Sequence, residues 1–126
     1  MKTIVNTNNA PAPIGPYSQA VIAGNFVFIS GQVAISPSTG ELVLDDIKTE
    51  TKQEMENIKS ILSEAGIDFS NIVKTSIFLK DMQTFAQVNE VYGGYFTGQY
   101  PARETVQVSG LPKNVNVEIT VTAIKP

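Results

Sequence analysis

Apolar residues recur along this chain with two rhythms, a period of two and the period of a helix, and the switches between them lay out the elements. The stretch Asn8 to Pro16 has neither rhythm, because Pro11, Pro13 and Pro16 forbid regular structure there. Tyr17 to Ala23 and Asn25 to Ser30 then read as two strands, with Gly24-Asn25 as the turn between them. Pro37-Ser38-Thr39-Gly40 marks a second turn, and Glu41 to Leu44 makes at most a short strand. From Ile47 to Ala65 the period becomes helical: Thr51, Met55, Ile58, Leu62 and Ala65 share one stripe, Ile61 lies beside it, and Gly66 stands where a C-terminal cap belongs. Ile72 to Lys80, rich in β-branched residues, predicts a strand. Asp81 can cap a second helix carrying Phe85, Val88, Tyr92 and Phe96, in which Gly93-Gly94 demands a bend, an end or a close neighbour. Thr105 to Ser109 and Val115 to Ile124 predict two closing strands.

The resulting order, β-β-(β)-α-β-α-β-β, is that of an α+β protein: one domain over residues 1–126, a mixed β-sheet with two helices packed on one face. Val115, Val117, Ile119 and Val121 present an apolar face suited to the helices and leave Glu118, Thr120, Thr122 and Ile124 on the reverse. Phe26-Val27-Phe28-Ile29 is apolar on both faces. A second sheet face with aromatic members implies cover by a partner subunit.

Composition narrows the chemistry. Apolar residues make up 42% and charged residues 17%, the balance of a folded globular chain. There is no cysteine, histidine or tryptophan, which leaves carboxylates, one arginine, lysines, hydroxyls and backbone groups as candidate catalysts. Metal sites of the usual kind and a bound cofactor are not expected. A net charge of −3 without any basic run argues against nucleic acid as a partner. The start of the chain lacks the apolar stretch of a signal peptide and no run approaches a membrane span, so a cytoplasmic location is expected.

Against that background Arg103 stands out. The other eight fixed cations are lysines, and the lone arginine follows Pro101 at the predicted mouth of a strand. Lysine and arginine serve equally as generic surface charge, whereas a planar fork of donors suits a small carboxylate or phosphate. Glu118 is the single acid within an alternating apolar strand. Each has an ordinary alternative: a solvated arginine, and an edge charge that discourages aggregation. Tyr17, Ser30 and Asn89 taken singly read as a rim aromatic, a strand end and a polar helix position, and Glu104 beside Arg103 points to the opposite face.

Several segments together resemble one family: Ala12-Pro13-Ile14-Gly15-Pro16-Tyr17-Ser18-Gln19-Ala20, Ile29-Ser30-Gly31-Gln32, Ile72-Val73-Lys74-Thr75, Val88-Asn89-Glu90-Val91-Tyr92, Pro101-Ala102-Arg103, and Leu111-Pro112-Lys113 followed by Val117-Glu118-Ile119. In this order, across nearly the whole chain, they are similar to the RidA proteins, the reactive intermediate deaminases of the YjgF type. The resemblance implies a chorismate-mutase-like fold and a homotrimer whose sheets line a central barrel, with sites in the clefts between subunits. It also implies cofactor-independent hydrolysis of 2-imino or enamine acids, such as 2-iminobutanoate and 2-iminopropanoate, to 2-keto acids and ammonia. By residue, it makes Arg103 the carboxylate-binding arginine and Glu118 the water-positioning glutamate, with Tyr17, Ser30, Gly31 and Asn89 in the pocket. Glu104-Thr105 stands where many members carry serine and cysteine, and the link from Phe96 to Pro101 is short. Thr105 still supplies backbone groups and a hydroxyl to the anion site. A non-catalytic, carboxylate-binding regulatory trimer would use the same residues.

Overall fold

The computed structural model describes all 126 residues. Six strands form one mixed sheet: β1 (Lys2–Val5), β2 (Ala20–Ala23), β3 (Phe26–Gln32), β4 (Ile72–Leu79), β5 (Ala102–Gln107) and β6 (Val117–Ile124), in the spatial order β1-β2-β3-β6-β4-β5. Only β4 and β5 run parallel, because the chain between them returns through a helix; every other pair is antiparallel. The helices are α1 (Ile47–Glu64) and α2 (Phe85–Gly93). Asp46 caps α1 by accepting from Thr49 N at 2.8 Å, and Gly66 follows it with φ of +80°, the left-handed geometry that ends helices at glycine. No helix is long and apolar enough to cross a membrane, and no group of three or more acidic side chains is gathered as a metal site would need.

Both helices lie on one sheet face. Met55, Ile58, Ile61 and Leu62 of α1 are fully buried against Val27, Ile29, Ile77, Val117, Ile119 and Val121. Each such side chain contributes on the order of 1.5–3 kcal/mol through removal from water. Val88 and Tyr92 of α2 join the same core, and the Tyr92 hydroxyl donates to Thr75 Oγ1 at 2.9 Å. The reverse face is open. Phe26 and Phe28 stack on one another there, 46% and 48% exposed, in a band with Ile4, Val106 and Glu118.

Several expected boundaries move, each for a local reason. The β2 ladder begins at Ala20 and not at Tyr17, because Tyr17 N donates to Gly15 O in a tight turn and Gln19 is committed to the preceding loop. Gln19, fully buried, accepts from Thr7 N at 2.7 Å and donates to the carbonyls of Thr7, Ala10 and Pro11, so one side chain fixes the proline-rich segment. Strand β1 is not predicted by the pattern, since only Val5 of its four residues is buried and pairing with β2 decides it. Glu41 to Leu44 contributes a single bridge, Ile35 with Leu42. Asp81 caps a 3₁₀ turn, Met82–Thr84, that leads into α2, and α2 stops at the Gly93-Gly94 pair. Phe96 therefore lies beyond the helix and reaches the core by packing on Tyr92, ring centroids 4.9 Å apart. Strand β5 starts at Ala102, so Arg103 sits inside a strand and not at its mouth.

Candidate active site

Arg103 pairs in register with Thr75, a buried residue of the helix-covered face, and its side chain accordingly points toward α2. There its Nη1 donates to Asn89 Oδ1 at 2.7 Å. The guanidinium also lies over two rings, 5.6 Å from the centroid of Phe85 and 5.3 Å from that of Tyr92. Cation–π contact and the Thr75 anchor on Tyr92 hold the fork in place without a counter-charge. Asn89, Tyr92, Gly93, Tyr100, Pro101 and Arg103 line a cleft of about 480 Å³. Two residues along β5, Thr105 faces the same way, and its hydroxyl oxygen is buried with no hydrogen-bond partner. The cleft thus holds a cation with free donors and an unsatisfied hydroxyl close by, which suits a small carboxylate. Phe85, Tyr92 and Tyr100 were legible only as core or link residues; their part in holding the guanidinium has no signal in the sequence.

Glu118 lies on the other side of the sheet. It pairs with Phe78 on the open face and lines a second cleft, about 280 Å³, with Ile14, Tyr17, Ser30, Gly31, Val33 and Pro112. The cleft forms where the β3–β6 pairing shifts register between Ile29 and Gln32. Ser30 is fixed by its Oγ donating to Ser18 O at 2.6 Å, and Tyr17 Oη accepts from Ile14 N at 3.2 Å. At Gly31 a Cβ would come within 2.8 Å of the Glu118 carboxyl carbon, so only glycine lets this carboxyl lie against the backbone. No side chain donates to Glu118. Burial raises its proton affinity above the ordinary glutamate range, which suits a group that must accept a proton near neutral pH.

The expected residues therefore fall into two clusters: Arg103, Asn89 and Thr105 on the helix-covered face, and Glu118, Tyr17, Ser30 and Gly31 on the open one. From the Arg103–Thr75–Val121 row, Glu118 is three residues along β6 and two strands across, roughly 10 Å in each direction by strand geometry. A single chain does not bring Arg103 and Glu118 to one ligand. Glu104 lies on the open face, as its parity requires, and pairs with Lys74 at 2.8 Å and with Ser76. Hydrogen bonds from Lys74 and then Ser76 lower its proton affinity.

This architecture, a mixed sheet with two helices on one face and a cleft on each side, is that of the Rid proteins. The chain matches the family described as Endoribonuclease L-PSP over residues 7–125, and it belongs to that YjgF/RidA family. It is 54% identical over 125 residues to a RutC family protein of Pyrococcus horikoshii, covering 99% of both chains. It is 46% identical to the 2-iminobutanoate/2-iminopropanoate deaminase of Mus musculus, covering 99% of this chain and 93% of that one. Among solved structures, E. coli TdcF with bound serine superposes with a TM-score of 0.94 at 40% identity, over 98% of this chain and 99% of that one.

Proposed function

We propose that this protein hydrolyses small 2-imino acids to 2-keto acids and ammonia at sites shared between copies of the chain. The observation that carries this reading is the separation of two half-sites: a stacked arginine on one face with no base beside it, and an unpaired, partly buried glutamate on the other with no anion anchor. Each lacks what the other offers. A neighbouring copy docked on the open face, over Phe26, Phe28, Ile4 and Val106, would cover apolar surface and bring its Arg103 toward Glu118. The arrangement suits a homotrimer with the open faces turned inward as a barrel. The mouse relative is named for this activity, and the E. coli relative's bound serine carries the carboxylate that Arg103 would grip.

The chemistry needs little more. A protonated imine already has an electrophilic carbon. Arg103 holds the substrate carboxylate by a two-point grip and fixes that carbon relative to one water. Glu118 orients the water and takes its proton as the C–O bond forms, then returns a proton to the nitrogen, which leaves as ammonia when the C–N bond breaks. The Arg103 cleft, complete in one chain, also favours a second reading, a carboxylate-binding regulatory trimer without turnover. RNA cleavage, which the family's description names, is disfavoured by the net charge of −3.

One experiment tests both chemistry and sharing. An amino-acid oxidase or threonine dehydratase generates the imine in situ, and keto acid release is followed with Arg103→Ala chains, Glu118→Gln chains, and a refolded equal mixture of both. Neither variant alone should act, whereas random assembly of the mixture should restore about a quarter of the parental sites. No acceleration by the parent chain rules out the hydrolase and leaves the binding reading; a parent that works with a mixture that does not rules out sharing.

A further inference from the structure

Resting on the hydrolytic reading, this inference concerns a carboxyl group that the reaction scheme does not use. Glu54 is fully buried and both its oxygens lack any hydrogen-bond partner. Orphaned buried groups of this kind are costly and rare in native proteins. Its position is set from both ends of α1. One turn before it, Glu50 accepts from Asn116 N and Nδ2, both at 2.8 Å, and from Val117 N at 3.2 Å, which pins the helix to the start of β6. One turn after it, Asn57 Nδ2 donates to the carbonyls of Val33 and Ile35, which pins the helix to the chain leaving β3. Between these anchors Glu54 lies beneath the place where β3 and β6 shift register, the same irregularity against which Glu118 lies from above.

The groups around Glu54 are all of one sign. Its own helix contributes Glu50 and β6 contributes Glu118, while β3 carries no ionisable side chain at all. Helix α2 also packs on α1, but its acid, Glu90, pairs outward with Lys48. Burial first, then Glu50 and Glu118, raises the proton affinity of Glu54 well above the ordinary range, whereas burial alone raises that of Glu118. The two carboxyls therefore ionise in order, Glu118 first.

We propose that Glu54 is a positioning residue for Glu118: a carboxylic acid held neutral beneath the Gly31 irregularity, so that Glu118 is the one negative charge of its cleft. When Glu54 ionises, a second negative charge appears under the cleft, and an anionic substrate is repelled. The sign follows from linkage. A bound carboxylate favours protonated Glu54, so affinity is greatest while Glu54 is neutral and falls as pH rises through its ionisation, by at most about tenfold per pH unit.

The test reads Glu118 directly. With the δ-carbons of glutamate labelled with ¹³C, the assembled protein is titrated by NMR from acid to alkaline pH, and 2-ketobutyrate affinity is measured over the same range. In the parent, the Glu118 signal should show its main titration and a second, smaller alkaline step that coincides with the titration of Glu54 and with the loss of 2-ketobutyrate affinity. Glu54→Gln and Glu54→Leu should each remove that second step and flatten the alkaline loss. A single-step Glu118 curve in the parent overturns the proposal, and this decides even if both variants fail to fold. An alkaline step that survives in a folded variant overturns it as well. Because these curves need no turnover, an inactive parent would count against the hydrolase reading separately.

Discussion

The two clefts are built on opposite principles. Around Arg103 the fold supplies partners: a stacked pair of rings, an amide oxygen from Asn89, and a threonine that fixes one of the rings. Around Glu118 it withholds them, leaving a carboxylate against bare glycine backbone with burial as the only influence on its proton affinity. A group that must hold a ligand needs its geometry settled in advance, because a loose fork wastes binding energy on its own ordering. A group that must exchange protons is poised instead by desolvation, and a hydrogen-bond donor or cation beside it would lock it as the anion. Keeping the arginine on the far side of the sheet within one chain prevents that locking until a substrate lies between the two.

The contrast is broken most severely at Glu118. Glu118→Gln preserves shape but cannot take a proton, and turnover should fall by roughly 10²- to 10⁴-fold while 2-ketobutyrate affinity, measured by calorimetry, stays near parental. In the parent, because burial raises the folded-state proton affinity of Glu118, turnover should decline as pH falls at values above the ordinary glutamate range. A pH–rate profile whose acid limb sits at or below that range would contradict the assignment.

Arg103→Lys strikes the other cleft. The ammonium keeps the charge but loses the fork and the stack, and kcat/KM should drop on the order of a hundred- to a thousand-fold, with 2-ketobutyrate affinity falling in step. Loss in turnover without loss in binding would mean that the arginine is not the anchor.

Gly31→Ala tests the bare backbone beneath Glu118. The added methyl occupies the place of the carboxyl, so the site must shift, with a destabilisation of about 1–3 kcal/mol by overpacking. Thermal unfolding and turnover should both suffer, whereas the Arg103 cleft, on the opposite face, should not change its rings or its Asn89 contact in a crystal structure. The smallest effect is expected from Asn89→Ala. It removes one hydrogen bond to an arginine that two rings still hold, and steady-state kinetics should show a loss of roughly threefold to tenfold in kcat/KM.

Much of this molecule is written in its periods. The stripe Met55, Ile58, Leu62 and the alternation Val117, Ile119, Val121 each appear in the fold with the burial their spacing demands, because a helix or a strand with one apolar side has only one stable way to face a core. The same alternation puts Glu118 on the open face before any partner strand is known. Arg103 is different. Ala102–Gln107 is an edge strand, polar on both faces, with no alternation to read, and its facing is decided by parallel register with β4, where Thr75 meets Arg103. Glu54 was equally illegible. Along the helix it sits beside the apolar stripe and resembles a solvated charge, but the grip of Glu50 on Asn116 and Val117 rolls that flank of α1 under the sheet. Local spacing determines which side of an element is apolar; register and long-range hydrogen bonds, formed only when distant segments meet, decide where its polar residues end up.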